Sequence, residues 1–278
     1  MNKQTTPKTY IINGSIAGAA RLEVLAESTW QGSFSFLTQV GLFKTKSRGL
    51  DLGCGSGALL KRILPHLHPE SELWGMDSDP EMLSMAAEEL KMAGYLKESH
   101  LFELWDIEQS ANMPAAGSFD WILARFLLSH LKDPLKALSR IKSMLKEGGS
   151  LLIEDVDFMG SFSYPQNDGF DRYTQLYSAS AIARGCDSCI GPKLPQLCRE
   201  AGFKVTELSV QLPVFMKGPG KQIASLTFEA IRSSILESKT ANEEECEAIS
   251  KDLSQFTNDR NSIISLPRIF QLQVSNSN

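Results

Sequence analysis

The chain alternates between two patterns of apolar and polar residues, one typical of short buried strands and the other of helices. Compact apolar runs predict the strands, and apolar residues spaced three and four apart predict the helices between them. Pro80 and Pro134 fit the first turns of two of those helices, where proline is favoured. The predicted strands are residues 49–53, 72–77, 100–106, 119–126, 150–157 and 204–214, and the predicted helices are 57–65, 80–95 and 134–146.

This alternation predicts an α/β fold, with a mostly parallel sheet, helices on both faces and right-handed crossovers. The pattern changes after residue 157, where an aromatic-rich and partly helical segment begins. We therefore expect a core at 49–214 with an insertion at about 158–200. Residues 1–48, predicted to be helical, and 215–278, predicted to form a helical lid and a final strand, would cover the strand ends.

The stretch GLDLGCGSGALL, residues 49–60, predicts a strand that turns tightly into a helix. Its glycines fit the loose dinucleotide fingerprint G-x-G-x-x-G/A, which would suggest a nicotinamide or flavin cofactor. Asp51, however, stands just before the first glycine and would repel a pyrophosphate. An acid at this place suits a ligand that carries an ammonium or sulfonium group.

Two more acids stand at predicted strand ends. In open α/β sheets, ligands bind outside the carboxyl ends of the strands. Asp77 ends the second strand, where its carboxylate can accept hydrogen bonds from both ribose hydroxyls of an adenosine. Asp106 ends the third strand and is followed by Ile107, a pair that suits an adenine amino group beside an apolar contact.

Together these motifs resemble the class I S-adenosylmethionine-dependent methyltransferases, and among them the branch acting on small molecules, such as quinone-precursor and natural-product methyltransferases. The resemblance covers residues 45–157 well and 190–214 more loosely. Five motifs carry it in order: Asp51-Leu-Gly-Cys-Gly-Ser-Gly57, Gly75-Met-Asp77-Ser-Asp-Pro-Glu-Met-Leu83, Trp105-Asp106-Ile107, Phe119-Asp-Trp, and Leu145-Lys-Glu-Gly-Gly149.

The resemblance implies a Rossmann-like, seven-stranded sheet whose last strand is antiparallel and inserted between the fifth and sixth. Residues 262–274 are the candidate for it, although Pro267 is unfavourable inside a paired strand. S-adenosylmethionine would be the cofactor, with S-adenosylhomocysteine as product. The residues expected to bind it are Tyr10, Asp51, Gly53, Cys54, Gly55, Asp77, Ser78, Met82, Asp106, Ile107, Arg125 and Phe126. Tyr10 would lie over the carboxylate of the cofactor, and Arg21 could serve in the same way.

The sequence does not identify a catalytic base. His130 is a candidate, but a packing or capping role at a helix start explains it as well. Arg125 could instead pair with a carboxylate across the cleft. The aromatic residues between 158 and 177 could line a substrate pocket or form a core between cover and sheet. If they line a pocket, the substrate is a small, largely apolar or aromatic molecule.

Composition narrows the alternatives. The 278 residues carry a net charge of −5 without a basic run, which argues against nucleic-acid binding. No predicted segment is long enough to span a membrane, and five cysteines without secretory features predict reduced thiols in a cytoplasm, including Cys186 and Cys189. We expect no metal site. The alternatives are a non-catalytic cofactor-binding member, a NAD(P)-dependent oxidoreductase, and a base methyltransferase, whose N/D-P-P-Y/F signature is missing after the fourth strand.

Overall fold

The computed structural model describes residues 16–95 and 100–277. A seven-stranded sheet forms its centre, in the order β3-β2-β1-β4-β5-β10-β7. The strands of this sheet are β1 (Arg48–Leu52), β2 (Glu72–Asp77), β3 (His100–Leu104), β4 (Phe119–Arg125), β5 (Leu145–Asp157), β7 (Lys204–Gln211) and β10 (Arg268–Ser275).

The pairing confirms the predicted fold class. The first five strands pair in parallel, and β10 runs antiparallel to both β5 and β7. The late strand thus lies between the fifth and sixth, as the resemblance implied. Pro267 lies outside it, between β9 (Ile263–Ser265) and β10, so its missing N–H interrupts no ladder.

Helices cover both faces and the strand ends. Local sequence explains where the two helices after β2 and β4 begin, because Asp79 and Asp133 cap them with their carboxylates before a proline at the first turn. The α-helices are α1 (Ile16–Gln39), α2 (Leu60–Ile63), α3 (Pro80–Met92), α4 (Pro134–Met144), α5 (Asp168–Ala183), α6 (Leu194–Glu200), α7 (Ile223–Glu237) and α8 (Glu243–Asn258).

The cover has a hydrophobic core of its own. Helix α5 packs against α7 and α8, and their buried faces meet around Phe170, Phe228 and Leu253. A small antiparallel sheet closes this region, formed by β6 (Ser163–Tyr164), β9 and β8 (Val214–Phe215). No helix in the described part of the chain is long and apolar enough to cross a bilayer.

Several boundaries differ from the sequence predictions. The third strand ends at Leu104 rather than 106, because Asp106 forms a turn with the two residues after Ile107. The helix predicted at 57–65 is short, since a turn occupies its start and a 3-10 turn follows Ile63. The sixth strand stops at Gln211, before Pro213.

Candidate functional site

The carboxyl ends of the central strands open into a cavity of about 640 Å³, with α1 on one side and α5 and α7 on another. This volume lies inside the range of about 300–1,000 Å³ that is usual for small-molecule sites. Tyr10 lies outside the described residues. The other sequence-predicted site residues all line this one cavity: Asp51, Gly53, Cys54, Gly55, Asp77, Ser78, Met82, Asp106, Ile107, Arg125 and Phe126.

The glycine loop directs its backbone N–H groups into the protein. Gly53 and Cys54 both donate to the carbonyl oxygen of Met76, at 2.7 and 3.1 Å, and Gly55 donates to Asp77 Oδ2 at 2.8 Å. A pyrophosphate-binding loop needs its N–H groups to point at the ligand. These three N–H groups are therefore not available to a pyrophosphate, which supports the sequence argument made from Asp51.

Asp77 connects the loop to the next turn while keeping acceptor capacity. Its Oδ1 accepts the N–H of Asp79 at 2.9 Å, and its Oδ2 accepts that of Gly55. Burial raises the pKa of Asp77 above its ordinary value, and these backbone hydrogen bonds act in the opposite direction. A carboxylate has about four lone-pair sites. Two are used by these bonds, and the backbone N–H of Ser78 also stabilises the ionised form, so acceptor capacity remains for a ligand hydroxyl group.

Asp51 is a buried carboxylate on the cavity wall, with 2% of its surface exposed. Burial raises its pKa to about 7, the negative charges of Asp77 and Glu154 act in the same direction, and Arg125 opposes them. The ionised form is therefore costly even with Arg125 nearby, and a further cation would stabilise it. A ligand ammonium group would supply that cation.

Arg125 lines the cavity, but its guanidinium is already engaged. Its Nε lies 2.9 Å from Glu154 Oε2, and its Nη2 donates to the Thr29 hydroxyl. Glu154 is its register partner on β5 and is almost fully buried. Of the two alternatives that the sequence left open for Arg125, the structure shows a pair with a carboxylate, which comes from the neighbouring strand rather than from across the cleft. Glu154 itself also accepts hydrogen bonds from Ser33 and Gln271.

Asp106 is oriented by its own turn. Its Oδ1 accepts the N–H groups of Glu108 and Gln109, at 2.8 and 3.1 Å, and its backbone N–H donates to the Ser110 hydroxyl. Ile107, which follows it, is buried. Both residues line the same cavity as Asp77, so the turn places an acceptor and an apolar contact beside the expected ribose position.

Aromatic side chains form the other wall. Phe158 and Tyr177 stack with their ring centroids 4.0 Å apart, and Tyr173 meets both edge-on. All three belong to the core of the cover and also line the cavity, so both sequence interpretations describe their position. Phe162 and Tyr164 of the same segment are exposed and do neither.

His130 lies in the cavity lining and is buried. Burial lowers its pKa to about 3, and the positive charges of Arg21 and Arg184 contribute. Its imidazole is therefore neutral at physiological pH. The nearby Cys186 thiol donates to the carbonyl of His130 at 3.1 Å, and Cys186 and Cys189 are both free. No group of three His, Cys, Asp or Glu residues in the described ranges could hold a metal ion.

Glu154 and the cavity residues contributed by α7, including Thr227, were not predicted from the sequence. In the sequence, Glu154 is an acid inside an apolar predicted strand. Because such acids are rarely fully buried unless they are paired, a buried ion pair could have been predicted for it. Thr227 had no such signal, because its place depends on how the cover packs.

Comparison with known proteins agrees with this geometry. The sequence model of a methyltransferase domain family matches residues 27–208. A tRNA U34 carboxymethyltransferase of Idiomarina loihiensis is 32% identical over 142 residues, which are 48% of this chain and 42% of that protein. An uncharacterized methyltransferase of Schizosaccharomyces pombe is 31% identical over 137 residues, 48% of each chain. The chain thus spans less than half the length of either relative.

Solved structures show the same fold at low sequence identity. YcgJ from Bacillus subtilis has a TM-score of 0.56 and 16% identity, with 88% of this chain and 99% of that chain covered. The [4+2]-cyclase SpnF has a TM-score of 0.54 and 16% identity, covering 87% and 78%. Since one of these folds belongs to a cyclase, the fold does not determine the reaction. The family match extends over well over half of the chain and includes every strand of the parallel sheet. The protein therefore belongs to the class I S-adenosylmethionine-dependent methyltransferases.

Proposed function

We propose that this protein transfers the methyl group of S-adenosylmethionine to an oxygen, nitrogen or carbon atom of a small, largely apolar or aromatic molecule. The observation that carries the proposal is that one cavity joins the acidic strand ends to the aromatic wall. Cofactor and acceptor could therefore lie in contact without an intervening protein layer.

The residues present fit the cofactor. Asp77 keeps acceptor capacity for the ribose hydroxyls, and a further cation, such as the amino group of the methionine portion, would stabilise the ionised form of the buried Asp51. Asp106 and Ile107 would hold the adenine. Ser78 and Met82 would flank the adenosine, the loop residues Gly53, Cys54 and Gly55 would contact the methionine portion, and Arg125 and Phe126 would lie along it.

When bound, this cofactor supplies a methyl group on a positively charged sulfur, and the charge disappears as the methyl group moves. The chain's own contribution is to hold the acceptor in line and to exclude water. Leu22, Leu25 and Ala26 of α1 line the cavity with apolar side chains. The region before β1 and the α5–α8 region are proposed to act as its cover.

A general base is not part of the proposal. His130 has a pKa of about 3 and is a weak proton acceptor, and burial raises the pKa of Tyr173, which keeps its phenol protonated. The proposal therefore assigns neither residue the task of deprotonating the acceptor. Alignment of the reacting atoms then provides the rate enhancement, and well-oriented reactants gain up to about 7–11 kcal/mol.

A small acceptor fits the site better than a tRNA. Relatives that are named for tRNA modification match only part of the chain. The net charge of −5 offers little attraction to a polyanion. The aromatic wall also belongs to a packed core rather than to an open surface.

Two measurements test the proposal. Calorimetry with S-adenosylhomocysteine should give a dissociation constant in the micromolar range, about −8 kcal/mol. Methyl-labelled cofactor is then incubated with separate metabolite and RNA fractions of a cell extract. Label in a small molecule is the expected result, and label in RNA would show that the methyl acceptor is a nucleic acid. Binding without any labelled product would indicate a non-catalytic member, and absence of binding would reject the proposal.

A further inference from the structure

Arg21 is a buried cation on the cavity wall. It belongs to α1, lines the cavity and is 5% exposed. Its Nε has no hydrogen-bond partner, and no ion pair within residues 16–95 and 100–277 includes it. Burying an unpaired guanidinium is costly, so this residue points to an anionic group that the protein itself does not provide.

The charge of Arg21 acts on the aromatic half of the cavity. It acts to lower the pKa of both His130 and Tyr173, and for Tyr173 it opposes the larger effect of burial. The charges that act on Asp51, where the cofactor's amino group is proposed to lie, are those of Arg125, Asp77 and Glu154. Helix α1, which carries Arg21, also packs against α7, whose Ile223 and Thr227 line the same cavity. Arg21 therefore lies beside the wall proposed for the acceptor.

The acids of the cavity are distributed unevenly. Those that line it lie at the ends of β1, β2 and β3 or in the loops that follow them: Asp51, Asp77, Asp79, Glu81, Asp106 and Glu108. Among the described lining residues, those from α1, α5, α7 and the segment 266–269 include no acid. An anion on the aromatic side would therefore meet a cation without a competing carboxylate.

The number of cations limits the kind of anion. Arg21 and Arg125 are the arginines among the described lining residues, and no lysine is among them. Arg125 is neutralised by Glu154. One available guanidinium matches a carboxylate, which carries a single charge and can accept both hydrogen bonds of the planar fork. A doubly charged phosphate would retain one uncompensated charge.

We propose that the methyl acceptor is a small carboxylic acid, that Arg21 binds its carboxylate, and that its apolar body packs on Phe158, Tyr173 and Tyr177. This inference rests on the proposed function and names the substrate class of the same site. Arg21 is then a specificity-determining residue.

The test uses the full chain saturated with S-adenosylhomocysteine and two probes of the same shape, phenylacetate and phenylacetamide. Their dissociation constants are measured by ligand-detected NMR for the wild type, Arg21→Met, Arg21→Lys and Arg62→Met. Arg62 is the matched control, since it pairs with Glu23 of α1 and lies outside the cavity lining. Affinity for S-adenosylhomocysteine is measured first for every variant.

We expect the wild type and Arg62→Met to bind phenylacetate at least about tenfold more tightly than phenylacetamide, the scale of a charge-assisted hydrogen bond. Arg21→Met should lose this preference, Arg21→Lys should keep part of it, and affinity for S-adenosylhomocysteine should stay within about twofold. A wild type without preference overturns the inference while leaving the proposed function intact. A loss of S-adenosylhomocysteine affinity in Arg21→Met would assign Arg21 to the cofactor's carboxylate. A wild type that does not bind S-adenosylhomocysteine rejects both.

Discussion

The carboxylate of Asp77 accepts the backbone N–H of Gly55 at 2.8 Å. This bond joins the end of β2 to the glycine loop that follows β1, two segments that are neighbours in the sheet but 22 residues apart in the chain. It also withdraws a donor that a pyrophosphate would need. Asp77 thus has two proposed tasks, to fix the loop and to receive the ribose hydroxyls.

Replacing Asp77 with alanine should weaken binding of S-adenosylhomocysteine by about 1.5–3 kcal/mol, the range for hydrogen bonds to a charged group. Calorimetry measures this loss. Asp120→Ala is the matched control, because Asp120 pairs with Lys146 at the other end of β4, outside the cavity lining. Equal affinities of wild type and Asp77→Ala would show that the ribose lies elsewhere.

Gly57 is expected to matter for stability, because a Cβ there would lie 3.0 Å from the Cβ of Ala86 on α3. Its φ of +75° is also strained for alanine. Gly94 has nearly the same φ, +74°, but a Cβ added there would have no neighbour within 4 Å, so Gly94→Ala isolates the backbone effect. In urea unfolding, Gly94→Ala should cost about 1 kcal/mol and Gly57→Ala at least about 1 kcal/mol more. If both variants lose a similar free energy of unfolding, α3 shifts to make room for the added methyl group.

The approximate positions of the strand ends could be predicted from the sequence, because an acid stands at or near the end of each apolar run. The sequence therefore predicts that Asp51, Asp77 and Asp106 lie together, and the structure places all three in one cavity. Tertiary packing decides the rest. Nothing local indicates that Arg125 meets Glu154 rather than a ligand, since that depends on the register of β4 with β5. The place of Thr227 depends likewise on how α7 docks.

Replacing one member of the buried pair of Arg125 and Glu154 should lower the free energy of unfolding more than replacing both. Glu154→Leu leaves the guanidinium buried without its carboxylate and should lower the free energy of unfolding by about 3–5 kcal/mol. Adding Arg125→Met removes the unpaired charge, so the double variant should be more stable than the Glu154→Leu variant. Urea unfolding of both variants measures the difference. A double variant less stable than the single would show that Arg125 stabilises the fold through its packing and its bond to Thr29.

Affinity for S-adenosylhomocysteine should depend on pH through Asp51. Its carboxyl has a pKa of about 7 in the protein, so below pH 7 it is mostly protonated. The ligand's ammonium group favours the ionised form, and binding at low pH must therefore release a proton. Affinity should rise with pH by up to about tenfold per unit below pH 7 and level off above it.

Calorimetry from pH 5.5 to 8.5, about one and a half units to either side of that pKa, would trace this curve. Asp51→Asn cannot ionise, so it should bind more weakly at high pH and show a much smaller slope. The charged groups that act on Asp51 are Arg125, Asp77 and Glu154, and the pKa of Asp77 is also raised by burial. Burial also raises the pKa of Asp155, which accepts the N–H of the cavity-lining Ser129, to about 6. Asp51→Asn combined with Asp77→Asn or with Asp155→Asn would show which of these two carboxyls causes any slope left in Asp51→Asn. If the slope is the same in Asp51→Asn and in the wild type, Asp51 does not bind the ammonium group of the ligand.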